Sequence, residues 1–129
     1  MKNTEEYTQA FPIAAAEELY DLSMLEEMDD NEYVLELLTI LLQDTPVELK
    51  EMKEAVRAGK ADIVCQKAHK LKSSAGIIQA DKLNALLADI ETMGKKGSVN
   101  NELICQVENA VNQYYRIEKA LKIYVQGLK

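Results

Sequence analysis

Histidine occurs once in this chain, tryptophan not at all and phenylalanine once. The single imidazole, His69, argues against the metal helical bundles, whose Glu-x-x-His pairs would need two histidines, and no Cys-x-x-Cys-His occurs to attach a haem. Cysteine is almost as scarce: Cys65 and Cys105 stand forty residues apart behind an N-terminus with no export signal. They read as reduced thiols of a cytoplasmic protein, small residues packed into helices, and not as a disulfide framework. With 5 Gly and 2 Pro in 129 residues, collagen-like and disordered classes are excluded and helices are favoured. No run approaches the roughly 20 apolar residues of a membrane span. No glycine-rich phosphate loop is present either, so neither direct use of ATP nor a hydrolase is supported. Basic residues are outnumbered 22 to 15, giving a net charge of −7 and a pI near 4.8, which argues against nucleic acid and anionic membranes as partners.

What is present is 47% hydrophobic and 29% charged, enough for one domain with a real core. Residues 1–14, with Pro12, show no sustained period and are expected to be a leader; residues 15–129 are expected to form the domain. A short helical pattern lies around Glu17 to Leu22, followed by Met24, Leu25 and Met28, a group that would be a core lid or, if exposed beside His69, an apolar docking surface. Asp29 with Glu32 has capping-box spacing and opens a long helix. Its stripe is Val34, Leu35, Leu38, Leu41 and Leu42, resumed after Pro46 by Leu49, Met52 and Val56, until Gly59 ends it. Thr45-Pro46-Val47-Glu48 could start a new helix, but one kinked helix over 31–58 better matches the length of the last helix. Val64, Ala68, Leu71, Ala75 and Ile78 give the third segment a narrow seam. Leu83, Leu87 and Ile90 do the same for a fourth, closed by Gly94 and Gly97. Ser98 is expected to cap a final helix with stripe Ile104, Val107, Val111, Tyr114, Ile117, Leu121 and Tyr124. The expected fold is all-α, an antiparallel up-down four-helix bundle with a short N-terminal helix.

Charge is divided along the chain: residues 1–54 hold three lysines and fifteen acids, net −12, whereas residues 55–129 are net +5. The span 60–82 carries five lysines against Asp62 and Asp81, which predicts a local positive patch around His69. His69 follows core position Ala68 and so points about 100° away from it, toward the rim. Lys72, Ser73 and Gly76 share its face at i+3, i+4 and i+7, and Gln66 and Cys65 lie one turn before it. A partly exposed imidazole beside a lysine, with small residues around them, suits phosphoryl chemistry on nitrogen: the neutral ring is the nucleophile and the ammonium pairs with phosphoryl oxygens. A free histidine titrates near 6.5, so at neutral pH no special base is required.

The run Ala68-His69-Lys70-Leu71-Lys72-Ser73-Ser74-Ala75-Gly76, followed by Ala80 and Leu83, resembles the signature of histidine-containing phosphotransfer (HPt) domains of bacterial two-component phosphorelays, typically His-x-Leu-Lys-Gly-Ser. Leu35 to Leu49 with Asp44, Thr45 and Pro46 resembles the family's proline-containing long helix. Leu87, Glu91, Gly94 and Lys95 resemble its fourth segment, so the likeness spans about residues 15–125. The resemblance implies that His69 is phosphorylated, the distal ring nitrogen being the family's habit, and that Lys72 stabilises the phosphoryl group. Gln66, Ser73, Gly76 and Lys95 are the expected partner contacts. The implied partners are response-regulator receiver domains and a hybrid sensor histidine kinase, the receiver supplying Mg²⁺. The chain itself is expected to be a monomeric, free-standing cytoplasmic phosphocarrier without cofactor, metal site, kinase or hydrolase activity. Two glycines of the pattern are replaced, by Ser73 and by Gln79; the second is expected to affect a helix end more than the chemistry. A non-phosphorylated helical adaptor that binds a receiver is the alternative, though it would have no use for both His69 and Lys72.

Overall fold

The computed structural model describes residues 19–129; the expected 1–14 leader and the start of the Glu17–Leu22 pattern lie outside them. Among these residues five helices follow in order: α1 Ser23–Glu26, α2 Asn31–Arg57, α3 Ala61–Ile77, α4 Asp81–Gly94 and α5 Asn101–Leu128. Among the described residues there is no strand. Each long helix packs against its neighbour in sequence, and α5 closes back onto α2, so α2 to α5 form an antiparallel up-down bundle with α1 lying against α2. No helix among these residues is long and apolar enough to cross a membrane.

The seams follow the 3.6-residue period. Leu38 of α2, Val64 and Ala68 of α3, Leu87 and Ile90 of α4, and Leu103, Ile117 and Leu121 of α5 are fully buried. Burying each leucine or isoleucine contributes about 1.5–3 kcal/mol, which is what holds helices this long together. Pro46 sits inside α2, where the loss of its N–H leaves the Leu42 carbonyl without a donor. A proline in a helix interior costs about 3 kcal/mol; burial of Leu41 and Leu49 on either side keeps the helix in one piece through it. The single-helix expectation for this region holds.

Helix starts differ from the sequence reading. Asp30, not Asp29, caps α2 by accepting a hydrogen bond from Tyr33 N at 3.0 Å, while Asp29 takes a left-handed φ of 54°. Asn100, not Ser98, caps α5 by accepting from Leu103 N at 2.8 Å. With the helix started there, the buried stripe of α5 runs through Leu103 and Val125, leaving Ile104 exposed and Tyr124 half-buried. Cys65 is half-buried and Cys105 exposed, both as free thiols, so only the former approaches the expected core position.

Helix ends reuse one device. After α2, Gly59 N donates to Val56 O and Lys60 N to Ala55 O; after α3, Gln79 N donates to Gly76 O and Ala80 N to Ala75 O. Each is a Schellman turn whose hinge residue needs positive φ, met by Gly59 at 73° and by Gln79 at 49°. The second turn fixes the top of α3. Asp21 N donates to Ile78 O at 2.9 Å, tying the chain before α1 to the same point.

Candidate functional site

α3 presents His69 on its outer face with 72% of the side chain exposed, because the buried seam Val64, Ala68, Leu71 and Ala75 leaves position 69 at the rim. Lys72, one turn on, is half-buried. Facing both is Glu91 of α4, whose side chain is only 11% exposed. His69 Nδ1 lies 2.8 Å from Glu91 Oε2 and Lys72 Nζ 2.8 Å from Glu91 Oε1, so the two oxygens of one carboxylate hold the two candidate residues. Lys95, the residue that ends α4 one turn beyond Glu91, brings its Nζ to 4.0 Å from Oε2 while remaining largely exposed.

The electrostatics fix the ring's chemistry. The Lys72 ammonium first, and the His69 ring second, hold the Glu91 carboxyl below the usual carboxylate range against the opposing effect of burial. An ionised carboxylate only accepts, so Nδ1 must be the donor. In the neutral imidazole the remaining nitrogen, Nε2, then carries the free lone pair, on the ring edge away from Glu91.

Of the residues expected at the site, His69, Lys72 and Lys95 converge on Glu91. Gln66, Ser73 and Gly76 are exposed along α3, and among the described residues no side-chain hydrogen bond joins Gln66 or Ser73 to that centre. The anticipated positive patch is corrected. Lys67 pairs with Glu48 at 3.1 Å and Glu51 at 2.6 Å, and Lys70 pairs with Glu48 at 2.9 Å, so acids of α2 neutralise much of it. Lys70 and Lys67 together hold the Glu48 carboxyl below its ordinary range. Met24 and Met28 are exposed, at 64% and 55%, and not a buried lid; Gln79 Nε2 donates to Met24 Sδ, which sets α1 beside the end of α3. Ile77, the last residue of α3, is exposed as well.

Glu91 was not among the residues singled out for chemistry. Its signal was available: four residues after Leu87 and next to Ile90, it is an acid on the inward stripe of a helix, and a carboxylate there needs a cationic partner. Among the described residues no group of three or more His, Cys, Asp or Glu is placed to hold a metal ion.

The family model described as Hpt domain matches residues 36–120, which include all of α3 and α4 and most of α2 and α5. The crystal structure of histidine-containing phosphotransfer protein B from Pseudomonas aeruginosa superposes with a TM-score of 0.76 at 22% identity, covering 84% of this chain and 95% of that one. At that identity the likeness is one of fold. Among curated proteins none matches the sequence.

Proposed function

Because this chain belongs to the Hpt domain family, we propose that it is a phosphorelay intermediate that accepts a phosphoryl group on His69 from the aspartyl phosphate of a receiver domain and passes it to a second receiver. The observation that carries this reading is the exposed His69 ring held through Nδ1 by the ionised Glu91, which leaves Nε2 as an oriented nucleophile.

In the forward step the Nε2 lone pair forms the N–P bond as the P–O bond to the receiver's aspartate breaks, and that carboxylate leaves with the bonding pair. The product ring bears the phosphoryl group on Nε2 and a proton on Nδ1, and its positive charge is balanced by Glu91. Lys72, already beside the ring, moves its ammonium from Glu91 Oε1 toward the phosphoryl oxygens, where charge-assisted hydrogen bonds are strongest. Lys95 is close enough to Oε2 to compensate Glu91 when Lys72 leaves it. The receiver's Mg²⁺ would neutralise the remaining phosphoryl charge. Most of the catalysis is thus positioning, and this chain needs no kinase or hydrolase machinery. Transfer to the next receiver is the same step in reverse.

For docking, the exposed face of α3 with Gln66, Ser73 and Gly76 would meet the receiver directly, and the exposed apolar side chains of Ile77, Met24 and Met28 would extend the contact. Ile77 is eight residues beyond His69, about 12 Å along the helix, within reach of a single domain. The donor receiver would belong to a hybrid sensor histidine kinase, and we place the exchange in the cytoplasm with a monomeric carrier. The test is incubation with phosphorylated receivers and Mg²⁺. An acid-labile, alkali-stable label on the parent protein, absent from His69→Gln, is expected; label retained by His69→Gln would refute the assignment, and no label from cognate receivers would favour the adaptor.

A further inference from the structure

Glu91 reaches His69 and Lys72 only if α4 lies close to α3, and one residue governs that separation at the adjoining turn. Gly94, three residues beyond Glu91, faces Ala61 and Cys65, which precede His69 by two turns and one turn. A Cβ built on Gly94 would stand 3.0 Å from the Ala61 carbonyl oxygen, 3.0 Å from Cys65 Cβ and 3.1 Å from Cys65 N. Two of those three neighbours are backbone atoms of a helix, which give way only if the helix as a whole moves. No other glycine described here is so confined: Gly76 has no neighbour nearer than 4.0 Å, and Gly59, Gly97 and Gly127 have none within 4 Å.

We propose that Gly94 is a positioning residue for phosphotransfer, its missing side chain setting the α3–α4 spacing at which the Glu91 carboxylate holds the His69 ring and Lys72. The rate part of this inference rests on the phosphotransfer reading; the geometric part does not. An added methyl group forces the helices apart by a few tenths of an ångström, one turn from a 2.8 Å hydrogen bond. Glu91 then releases Nδ1 for part of the time, the ring exchanges its proton between both nitrogens as a free histidine does, and the fraction with a free Nε2 lone pair falls. Misplacement of reacting groups by about 1 Å can cost about a hundredfold in rate, so a shift of tenths is worth roughly three- to tenfold.

The experiment uses the full chain, ¹⁵N-labelled, in parent, Gly94→Ala and Gly127→Ala forms. Long-range ¹H–¹⁵N spectra of the lone imidazole report which nitrogen carries the proton, and label uptake from a phosphorylated receiver reports transfer. The expected result is a parent ring held as the Nδ1–H tautomer, a Gly94→Ala ring shifted toward the free-histidine mixture with transfer slowed roughly three- to tenfold, and Gly127→Ala like the parent in both. A folded Gly94→Ala with parent-like spectrum and rate overturns the proposal. Should Gly94→Ala not fold, Glu91→Asp puts the same question by shortening the carboxylate's reach by one methylene with the seam intact; an unchanged tautomer and rate there equally overturn it. If no receiver labels even the parent while the spectra respond as stated, the phosphotransfer reading falls and the geometric role of Gly94 stands.

Discussion

The two Schellman turns offer a controlled comparison inside one molecule, since Gly59 ends α2 and Gln79 ends α3 in the same hydrogen-bonded geometry. A left-handed backbone costs an L-residue about 1–2 kcal/mol that glycine does not incur. Replacing Gln79 by glycine removes that strain. Two losses offset it: the greater freedom of glycine in the unfolded chain, about 0.5–1 kcal/mol, and the side-chain contact from Gln79 to Met24, worth a few tenths. The net expectation is a gain of about 0.5 kcal/mol. At about 2.1 cal/mol/K of unfolding entropy per residue, a chain of 129 residues converts that into a rise in Tm of about 2 °C. The reciprocal change, Gly59→Gln, has open space around it, so sterics add nothing; backbone strain alone should lower stability by about 0.5–1 kcal/mol. Thermal and urea melts of both variants against the parent measure this directly. Opposite signs are required. If Gln79→Gly melts lower than the parent, or if both substitutions shift stability in the same direction, backbone strain is not what distinguishes the two turns.

Other consequences are equally direct. Lys72→Ala should fold and slow receiver-dependent labelling by about tenfold or more, the worth of a charge-assisted hydrogen bond in the transition state; an unaltered rate would remove Lys72 from the chemistry. Glu48 is held below its ordinary range by Lys70 and Lys67, so its contribution to stability is present above the unfolded value of about 4.3 and is lost as pH falls through the lower folded one. Urea midpoints measured across acidic pH should therefore fall less steeply for Glu48→Gln than for the parent. Tyr124 behaves oppositely: burial first, then the hydrogen bond it donates to Glu26, push its phenol up to about 12. The folded state binds that proton more tightly, so stability is intact below about pH 10 and is lost as pH rises toward the folded value. Tyr124→Phe should lose less stability than the parent over that alkaline window, and parallel curves would count against the assignment.

Most seam positions of the four long helices could be read from apolar spacing because that spacing is local, and His69 with Lys72 for the same reason: residues three apart on one helix share a face whatever the fold. What escaped the sequence came from other helices. Glu91 arrives at His69 from α4, and two lysines of the five-lysine span, Lys67 and Lys70, are paired because Glu48 and Glu51 of α2 reach across to them. Arithmetic within one segment has no access to a neighbour's acids. The cap of α5 failed differently. Ser98 and Asn100 are both good cap residues, and only the Asn100 carboxamide reaching Leu103 N decides between them, moving the buried stripe from Ile104 to Leu103. The Pro46 helix came out as expected because burial on both sides outweighs one missing donor.

The ion pairs between α2 and α3 bear on how a receiver would find this protein if it is the proposed phosphorelay intermediate. Lysines balanced at contact distance by Glu48 and Glu51 project little field beyond their own pairs, so under the proposed function an approaching receiver would be guided to His69 more by complementary shape than by Lys67 and Lys70. Association of that kind responds weakly to salt. A carrier built this way would keep the same preference among competing receivers as osmotic conditions in the cell change, with fit and not attraction at a distance deciding which of them is served.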